Sequence, residues 1–447
     1  MRFLIGCPEN GSIKEIICNI ETDSSKKDSI QPFHSENSIS EGSNNKIDLW
    51  YSLKNDKGKM IISRNNGVLQ LVNRKDELKE VEEKQIKYNV SQFEMLDFIN
   101  EDDLLSNKRL EPLFAKSKKR TKLLDAFICI SPLNKEETKY LIGTKSGLIH
   151  IVELNDTFTK ISKTISHEVR APLEFIQLYD NEESKDGDYI FALGGEENLV
   201  KLFKLSSDFQ TVKQFWEAKN VKNDRLDMRV PVWPMALKFL NPIADAKEKD
   251  KINYQFVTIT RFSHLGVYQT QHGKKPLHYI DILPNRDPLT SLEFVADAEL
   301  ITPSGNLKSS DIDNFTFITT DTRKDVLKYT NKGRLLGKYG KSDIVGAVNY
   351  IKNISGDKYL IEVGLDRYLR VFDINSLKTL IKVYVGAKAH FVELLDDEDV
   401  ELPQPISKNP KKRSKQAILE EAEKDEDPEA LWDELEKGPK KAKKSKQ

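Results

Sequence analysis

Short apolar segments with period-two alternation recur along the chain, in pairs separated by a tight polar turn. In the clearest pair, residues 359–373, an apolar strand leads into Gly364 and Asp366, and an alternating strand leaves through Leu369 and Val371. Turn-forming residues between two such runs predict an antiparallel β-hairpin. The same pattern recurs at residues 3–16, 60–72, 140–152, 189–205, 254–268 and 315–329. The chain is therefore predicted to contain seven consecutive hairpins.

The best-defined hairpin, residues 359–373, resembles the two central strands of a WD40 blade. Phe372 and Asp373 stand where such a blade usually ends in Trp-Asp. The resemblance implies that Gly364 and Asp366 form the blade turn, with Asp366 accepting local hydrogen bonds. Successive turns lie about 43 to 80 residues apart, at or above the roughly 40–45 residues that one blade needs. The sequence predicts an all-β fold, a seven-bladed WD40-type β-propeller with loop insertions and a disordered, charged C-terminal tail.

The propeller is expected to span residues 1–400, and the tail residues 401–447. Four links exceed a simple blade connection and are expected to be insertions, near residues 21–48, 74–122, 206–250 and 296–313. Within the second of them, residues 93–114 have a pattern compatible with a helix. Strand-like segments at 380–385 and 391–395 follow the last hairpin. Closure of the ring requires either these segments or the N-terminal strand.

Charge balance argues against a uniformly basic nucleic-acid binder. Lys and Arg number 70 and Asp and Glu number 71, so any attraction to nucleic acid must come from local patches. The three cysteines have no CxxC spacing, which argues against a disulfide framework or a zinc site and favours a reducing compartment. No apolar segment has the length of a signal peptide or a membrane span. We therefore expect a soluble, intracellular protein without a membrane partner.

Motifs of catalysis are missing from the sequence. It contains no Walker A phosphate loop, no GxGxxG, no HExxH and no GxSxG. His264, His272 and His278 form one cluster in the sequence, but it lacks the cysteines or carboxylates that zinc sites usually add at tight spacing. We expect a non-catalytic protein without a cofactor, a metal or a small-molecule substrate.

Two segments carry more aromatic, amide and charged residues than the building of blades requires. Residues 216–235 link the fourth and fifth hairpins and place Trp233 between two prolines. Residues 260–276 contain a hairpin followed by a basic turn at 272–276. Trp, Met and Arg residues are typical of contact surfaces; the alternative is that both loops brace neighbouring blades. The candidate residues for binding a partner protein or RNA are Lys219, Lys222, Asn223, Asp224, Arg225, Asp227, Arg229, Trp233, Arg261, His272, Lys274 and Lys275.

The tail contains two basic clusters separated by an acidic stretch. Its few apolar residues cannot offset the entropy cost of ordering it, so we expect it to be disordered. We interpret the basic clusters as nuclear-import signals; the alternatives are a solubilising tail or attachment to RNA phosphates. The residues assigned to import are Lys411, Lys412, Arg413, Lys415, Lys440, Lys441, Lys443 and Lys444.

The acidic stretch of the tail contains a candidate docking helix. Asp427 and Pro428 have the residue types of an N-cap and a first helical position. Leu431 and Leu435 then fall on one helical face, with Trp432 beside them. This pattern is typical of a helix that folds on a partner, and the alternative is a frayed helix that binds nothing.

Several of these segments together resemble one family of fungal WD-repeat proteins. Residues 219–233, 268–276 and 364–373 carry the resemblance, and residues 11–20 and 117–122 fit it as well. The family is that of Nop-seven-associated protein one, a ribosome-biogenesis factor whose animal counterpart is a nucleolar WD-repeat protein. The resemblance covers nearly the whole predicted propeller and is weakest in the insertions and the tail.

The resemblance implies a non-catalytic assembly factor, or scaffold, for the large (60S) ribosomal subunit. Its expected partners are proteins of the pre-60S particle, with pre-rRNA as a further candidate, and an AAA-type ATPase that later releases it. Its expected location is the nucleus and the nucleolus. The alternative is a propeller adaptor of another nuclear complex, such as a substrate receptor of a ubiquitin ligase. Asn375 weakens that alternative, because such receptors resemble a pattern with Arg or Lys two residues after the Trp-Asp end.

Overall fold

The computed structural model describes residues 1–81, 86–117, 124–181, 187–243, 252–354 and 358–402, and within these ranges the chain forms seven sheets. Each sheet has four strands. The predicted fold class is confirmed, because the chain is a seven-bladed β-propeller made almost entirely of strands. One compact unit, Met1–Glu80 and Lys87–Val400, holds the blades. Of the described residues, Val81, Ile86, Glu401 and Leu402 fall outside this unit.

Blades 2 to 7 each take four consecutive strands of the chain. Blade 1 contains β1 (Arg2–Cys7), β2 (Ser12–Ile17) and β3 (His34–Ser40), and blade 2 contains β4 (Ile47–Ser52), β5 (Lys59–Arg64), β6 (Val68–Val81) and β7 (Ile86–Asn100). Blade 3 contains β8 (Phe127–Pro132), β9 (Lys139–Thr144), β10 (Leu148–Leu154) and β11 (Ile161–Glu168), and blade 4 contains β12 (Phe175–Tyr179), β13 (Tyr189–Gly195), β14 (Asn198–Leu205) and β15 (Val212–Glu217). Blade 5 contains β16 (Pro234–Leu240), β17 (Gln255–Thr260), β18 (His264–Gln269) and β19 (His278–Asp281), and blade 6 contains β20 (Leu289–Val295), β21 (Thr316–Asp321), β22 (Val326–Thr330) and β23 (Leu335–Tyr339). Blade 7 contains β24 (Val348–Ile354), β25 (Tyr359–Gly364), β26 (Tyr368–Asp373) and β27 (Thr379–Tyr384), and β28 (Phe391–Asp396) completes blade 1.

The seven predicted hairpins form the two middle strands of the seven blades. Strands β1, β17 and β25 are buried at all six of their positions. Both faces of a middle strand are covered because each blade packs between two neighbours. Such a strand therefore reads in the sequence as a short continuous apolar run, bounded by the turn residues that identified the hairpins.

The ring closes through a strand pair that joins distant parts of the chain. β28 lies antiparallel to β1, with Ile5 opposite Val392 and Leu4 opposite Glu393. Phe3, Ile5 and Val392 belong to one buried cluster with side chains of blade 7. Both the N-terminal strand and the segment predicted near residues 391–395 therefore take part in closure. The segment predicted at 380–385 forms β27, the outermost strand of blade 7.

Three of the predicted insertions contain the outermost strands of their blades. β3 lies within residues 21–48 and is the fourth strand of blade 1, and β7 lies within residues 74–122 and is the fourth strand of blade 2. β15 lies within residues 206–250 and is the fourth strand of blade 4. Outermost strands have one exposed face, so their apolar residues are fewer and their pattern in the sequence is weaker. The extra length of these links is therefore partly blade and partly connection.

The helical interpretation of residues 93–114 is wrong for residues 93–100, which belong to β7. In that strand Tyr88 and Val90 are buried and Asn89 between them is exposed, which is the period of two of a strand. A helix, α1 (Asn107–Ser117), follows and connects blade 2 to blade 3. No helix among the described residues is long and apolar enough to cross a membrane.

Removing the closing strand is expected to destabilise the whole propeller. Deleting residues 391–447 takes away β28 and uncovers the cluster around Phe3 and Ile5, so we expect the midpoint of thermal unfolding to fall by at least about 5 °C. Deleting residues 403–447 alone is the matched control and should leave the midpoint unchanged. Circular dichroism melting of the full chain and both deletions measures this. Equal midpoints for the two deletions would contradict the role of β28.

Candidate interaction surface

The link between blades 4 and 5, residues 218–233, lies at the same end of the strands as the turns of those two blades. The amide of Glu197, in the β13–β14 turn, donates to the Val232 carbonyl at 2.9 Å. The amide of Arg261, in the β17–β18 turn, donates to the Trp233 carbonyl at 2.9 Å. The structure thus brings together residues that the sequence assigned to two separate candidate segments.

Trp233 and Arg261 brace this end of the propeller. The Arg261 guanidinium lies over the Trp233 ring, 4.6 Å from its centroid. Trp233 Nε1 donates to Glu174 Oε1 at 3.3 Å, and Glu174 forms an ion pair with Lys145 at 3.1 Å. These contacts connect the turns of blades 3 and 5 through the link. For these two candidate residues, the geometry matches the bracing alternative.

The middle of the link is a tight turn at residues 223–228, which we call the tip. One carboxylate oxygen of Asp224 accepts the amides of Leu226 and Met228, both at 2.9 Å, and the Asp224 amide donates to the Met228 carbonyl at 2.9 Å. Asp227 has a positive φ of 58°, and its carboxylate accepts from Asn223 Nδ2 at 2.9 Å. Aspartate and asparagine favour such turns because their short side chains replace backbone partners. The polar groups of Asn223, Asp224 and Asp227 are therefore used to shape the tip.

The tip holds two large apolar side chains in solvent. Leu226 is 79% exposed and Met228 is 62% exposed. Neither residue is among the candidates that the sequence predicts. The sequence pattern that could have identified them is their alternation with the charged residues Arg225, Asp227 and Arg229. In a segment between strands, apolar residues in such a pattern are not expected to be buried. Large exposed apolar side chains in a fixed turn are typical of contact sites.

The basic residues around the tip differ in how far they are already paired. Arg229 forms an ion pair with Glu197 at 2.6 Å, and both side chains are more than half exposed. Exposed pairs of this kind contribute little to stability. The side chains of Lys219, Lys222 and Arg225 are exposed and have no acceptor in the described part of the chain. These three cations are available to an anionic partner.

The basic turn at 272–276 meets the link at one backbone contact, where the Lys219 amide donates to the Lys274 carbonyl at 2.7 Å. The side chains of His272, Lys274 and Lys275 are exposed. The turn therefore adds two further cations beside the beginning of the link. The approach is through the backbone, so it leaves the lysine side chains free for other contacts.

The three histidines of this region do not converge on one point. His264 is buried, lies 2.9 Å from Asp281 through Nε2, and stacks on Tyr279 with 4.6 Å between ring centroids. His272 and His278 are exposed. Among the residues that the structure describes, no group of three or more His, Cys, Asp or Glu side chains could hold a metal ion.

The blade 7 turn is held by a buried ion network. Asp366 accepts from the Tyr368 amide at 3.2 Å and from Arg370 Nη2 at 2.6 Å. Arg370 also donates to Glu362 at 2.9 Å, and burial raises the pKa of Glu362 to about 7. A Cβ added to Gly364 would lie 2.7 Å from a backbone carbonyl oxygen, so this position requires glycine. These residues stabilise the turn of blade 7.

A cavity of about 520 Å³ lies along the inner strands β4, β20, β24 and β28. Its two glutamates have donors or a cation nearby. Glu393 accepts from Trp50 Nε1 at 2.9 Å and from Ser52 Oγ at 2.6 Å. Glu293 lies 3.6 Å from Lys238 Nζ. Both glutamates are therefore held by neighbouring side chains.

The link at 296–313 reaches from blade 6 to the inner strands of blades 4 and 5. Asn306 donates through Nδ2 to the Leu178 carbonyl at 2.8 Å and accepts the Phe239 amide at 2.9 Å. Thr302 Oγ1 donates to Asp180 at 2.6 Å, and Thr302 also lines the cavity. This link is therefore a structural connection between three blades at the edge of the cavity.

The predicted import residues between 411 and 444 and the predicted docking helix at 431–435 lie outside the described residues. Among the described residues, the link 218–233 and the adjoining turn at 272–276 form the candidate contact surface.

Removing the Asp224 carboxylate is expected to loosen the tip without affecting the propeller. Asp224→Ala loses two hydrogen bonds to backbone amides, so the exchange rates of the Leu226 and Met228 amides should rise about tenfold or more. The thermal midpoint should stay within about 2 °C, since no blade residue is changed. Asp224→Asn keeps an acceptor oxygen and should restore slow exchange. Hydrogen exchange read by mass spectrometry tests this, and unchanged exchange in Asp224→Ala would contradict it.

Comparison with known proteins identifies relatives over almost the full length. No protein-family model matches the chain. The ribosome biogenesis protein NSA1 of Vanderwaltozyma polyspora is 53% identical over 411 residues, covering 90% of this chain and 91% of the relative. That of Saccharomyces cerevisiae is 45% identical over 458 residues, covering 98% and 97%. Among solved structures, the WD40 β-propeller domain of Doa1 shares 11% identity with a TM-score of 0.47 over 77% of this chain and 85% of that one.

The alignments with these relatives cover both the seven blades and the links between them, so the similarity is not confined to the repeated hairpins. It covers the candidate surface as well as its scaffold. The chain belongs to the NSA1 family of ribosome biogenesis proteins.

Proposed function

We propose that this protein is a non-catalytic scaffold in the assembly of the large (60S) ribosomal subunit. Membership of the NSA1 family supports a role in ribosome biogenesis. The observation that carries the more specific proposal is the link 218–233, which exposes unpaired cations and two apolar side chains on a turn of fixed shape. Such a surface is suited to binding and offers no arrangement of groups for bond making or breaking.

The propeller would act as a rigid platform for this surface. The turns of blades 4 and 5 hold the link through backbone hydrogen bonds, and Trp233 and Arg261 brace its end. A contact surface fixed in this way loses little conformational entropy on binding. The scaffold is therefore proposed to present a preformed site to the precursor particle.

The proposed partners are proteins of the pre-60S particle, with pre-rRNA as a further candidate. The exposed cations Lys219, Lys222, Arg225, Lys274 and Lys275 suit phosphates or acidic side chains.

Release by an AAA-type ATPase is proposed from the family resemblance. Residence in the nucleus and nucleolus is proposed from the family resemblance and from the basic clusters of the tail.

Charge reversal at the surface is expected to weaken association with the particle. Arg225→Glu, Lys274→Glu and Lys275→Glu together remove unpaired cations, and recovery of pre-60S proteins and pre-rRNA with the tagged protein should fall about tenfold. Arg229 is left unchanged because it is paired with Glu197. The measurement is affinity purification of the tagged full chain from Saccharomyces cerevisiae cells from which the yeast NSA1 protein has been removed.

The matched control reverses three other exposed cations, Lys160, Lys332 and Arg334, which lie on blades 3 and 6. Both triple variants should melt like the wild type, because none of the six side chains is buried. Equal recovery from the two variants would contradict the proposed surface. A wild-type protein that sediments only as a free monomer in nuclear extract would contradict the scaffold function itself.

Deleting residues 403–447 is expected to reduce nuclear accumulation. The deletion removes both basic clusters, which are the proposed import signals. Fluorescence microscopy of a tagged protein measures the ratio of nuclear to cytoplasmic signal. A matched variant with only the acidic stretch 420–436 removed should stay nuclear. An unchanged nuclear signal after the full deletion would refute the import role of the tail.

A further inference from the structure

We infer that the tip at residues 223–228 docks into an apolar groove on an acidic protein surface, with Leu226 and Met228 as the two anchors. This inference rests on the proposed function and gives the link 218–233 one kind of partner, a protein rather than RNA. Four observations carry it: the exposure of the two side chains, their fixed geometry, the charge around them, and the chemistry of the aromatic residues nearby.

The exposure and the geometry point to a knob that enters a recess. Leu226 is 79% exposed and Met228 is 62% exposed, so neither contributes to the packing of the blades. Their amides are both bonded to Asp224, and Asp227 turns the chain with a positive φ. A preformed turn of this kind lowers the backbone ordering cost at the moment of binding. Met is adaptable in shape and is over-used at binding surfaces.

The charge around the tip selects an acidic partner. From Lys219 to Arg229 the link has four cationic and two acidic side chains. The two carboxylates, Asp224 and Asp227, accept hydrogen bonds inside the tip. Lys222 and Arg225 have no acceptor in the described part of the chain. Two apolar anchors with free cations beside them match an apolar groove that has carboxylates along its rim.

The same arrangement does not suit RNA. Phosphates would use the cations but would leave Leu226 and Met228 without partners. Proteins read unpaired bases chiefly by stacking them on aromatic rings or on free guanidinium planes. The aromatic residue nearest in the sequence, Trp233, is half-buried and is covered by Arg261. The link 218–233 therefore offers bases one unpaired guanidinium, that of Arg225, and its single aromatic ring is already covered.

Replacement of the anchors tests the inference in the full chain. Leu226→Ser with Met228→Ser should lower the amount of the partner protein retained on the tagged chain at least tenfold, with an unchanged thermal midpoint. The loss should persist at all salt concentrations, because it removes apolar contact. Lys222→Glu with Arg225→Glu should instead weaken retention in a salt-dependent way. The matched control is Leu335→Ser with Leu336→Ser, a pair on β23 with exposures of 51% and 47%, which should retain the partner fully.

Nuclease treatment and cross-linking identify the partner. A photo-cross-linking amino acid at position 226 should join a protein at a segment that combines acidic and apolar residues, before and after the purified particle is digested with ribonuclease. The same amino acid at position 335 should not give that product. A cross-link to RNA, to a basic protein segment or to nothing at all overturns the inference.

The experiments distinguish a failure of the docking inference from a failure of the proposed scaffold function. If the wild-type chain recovers pre-60S proteins and pre-rRNA while the Leu226 and Met228 variant recovers the same proteins after ribonuclease, the inference fails and the scaffold function stands. If the wild-type chain recovers neither pre-60S proteins nor pre-rRNA, the scaffold function fails. Loss confined to the anchor variant, with the acidic partner cross-linked at position 226, supports both.

Discussion

The pairing of β28 with β1 is the contact on which the rest of the propeller depends. A blade has two apolar faces, and each can be buried only against a neighbouring blade. β1 is buried at every position, yet one of its strand partners lies nearly the whole length of the propeller away in the sequence. Without that partner, the cluster that blades 1 and 7 share loses Val392, which belongs to it together with Phe3 and Ile5. Closure therefore converts a row of hairpins into a single cooperative structure.

This dependence explains which parts of the fold were predictable. Each middle hairpin is local, and its turn residues and apolar runs are contiguous in the chain, so all seven were found. The closing pair is non-local, and the sequence left open which terminal segment supplies it. The outermost strands were also harder to recognise, because one of their faces is exposed. The helical prediction extends into β7, whose second half, residues 93–100, does not alternate regularly between buried and exposed positions.

The candidate surface was predictable as a segment but not residue by residue. Residues 216–235 were selected for their density of charged, amide and aromatic side chains, and the structure places that link at an exposed end of blades 4 and 5. Composition alone does not show which of those side chains form hydrogen bonds within the protein itself. Asp224 and Asp227 shape the tip, and Trp233 braces the turns, whereas Leu226 and Met228 stand free. Hydrogen-bond partners decide between these roles, and they follow from the tertiary structure.

The position of the tip follows from the same constraint that closes the ring. A blade residue that changes to suit a partner must still fit between two packed sheets, so the middle strands offer little freedom for new contacts. A link tied to the turns by a few backbone hydrogen bonds has no such restriction. The tip is shaped by side-chain bonds to its own backbone, so its exposed residues can be exchanged without disturbing a core. Binding specificity in this propeller is therefore expected to lie in the links, while the blades fix where those links are held.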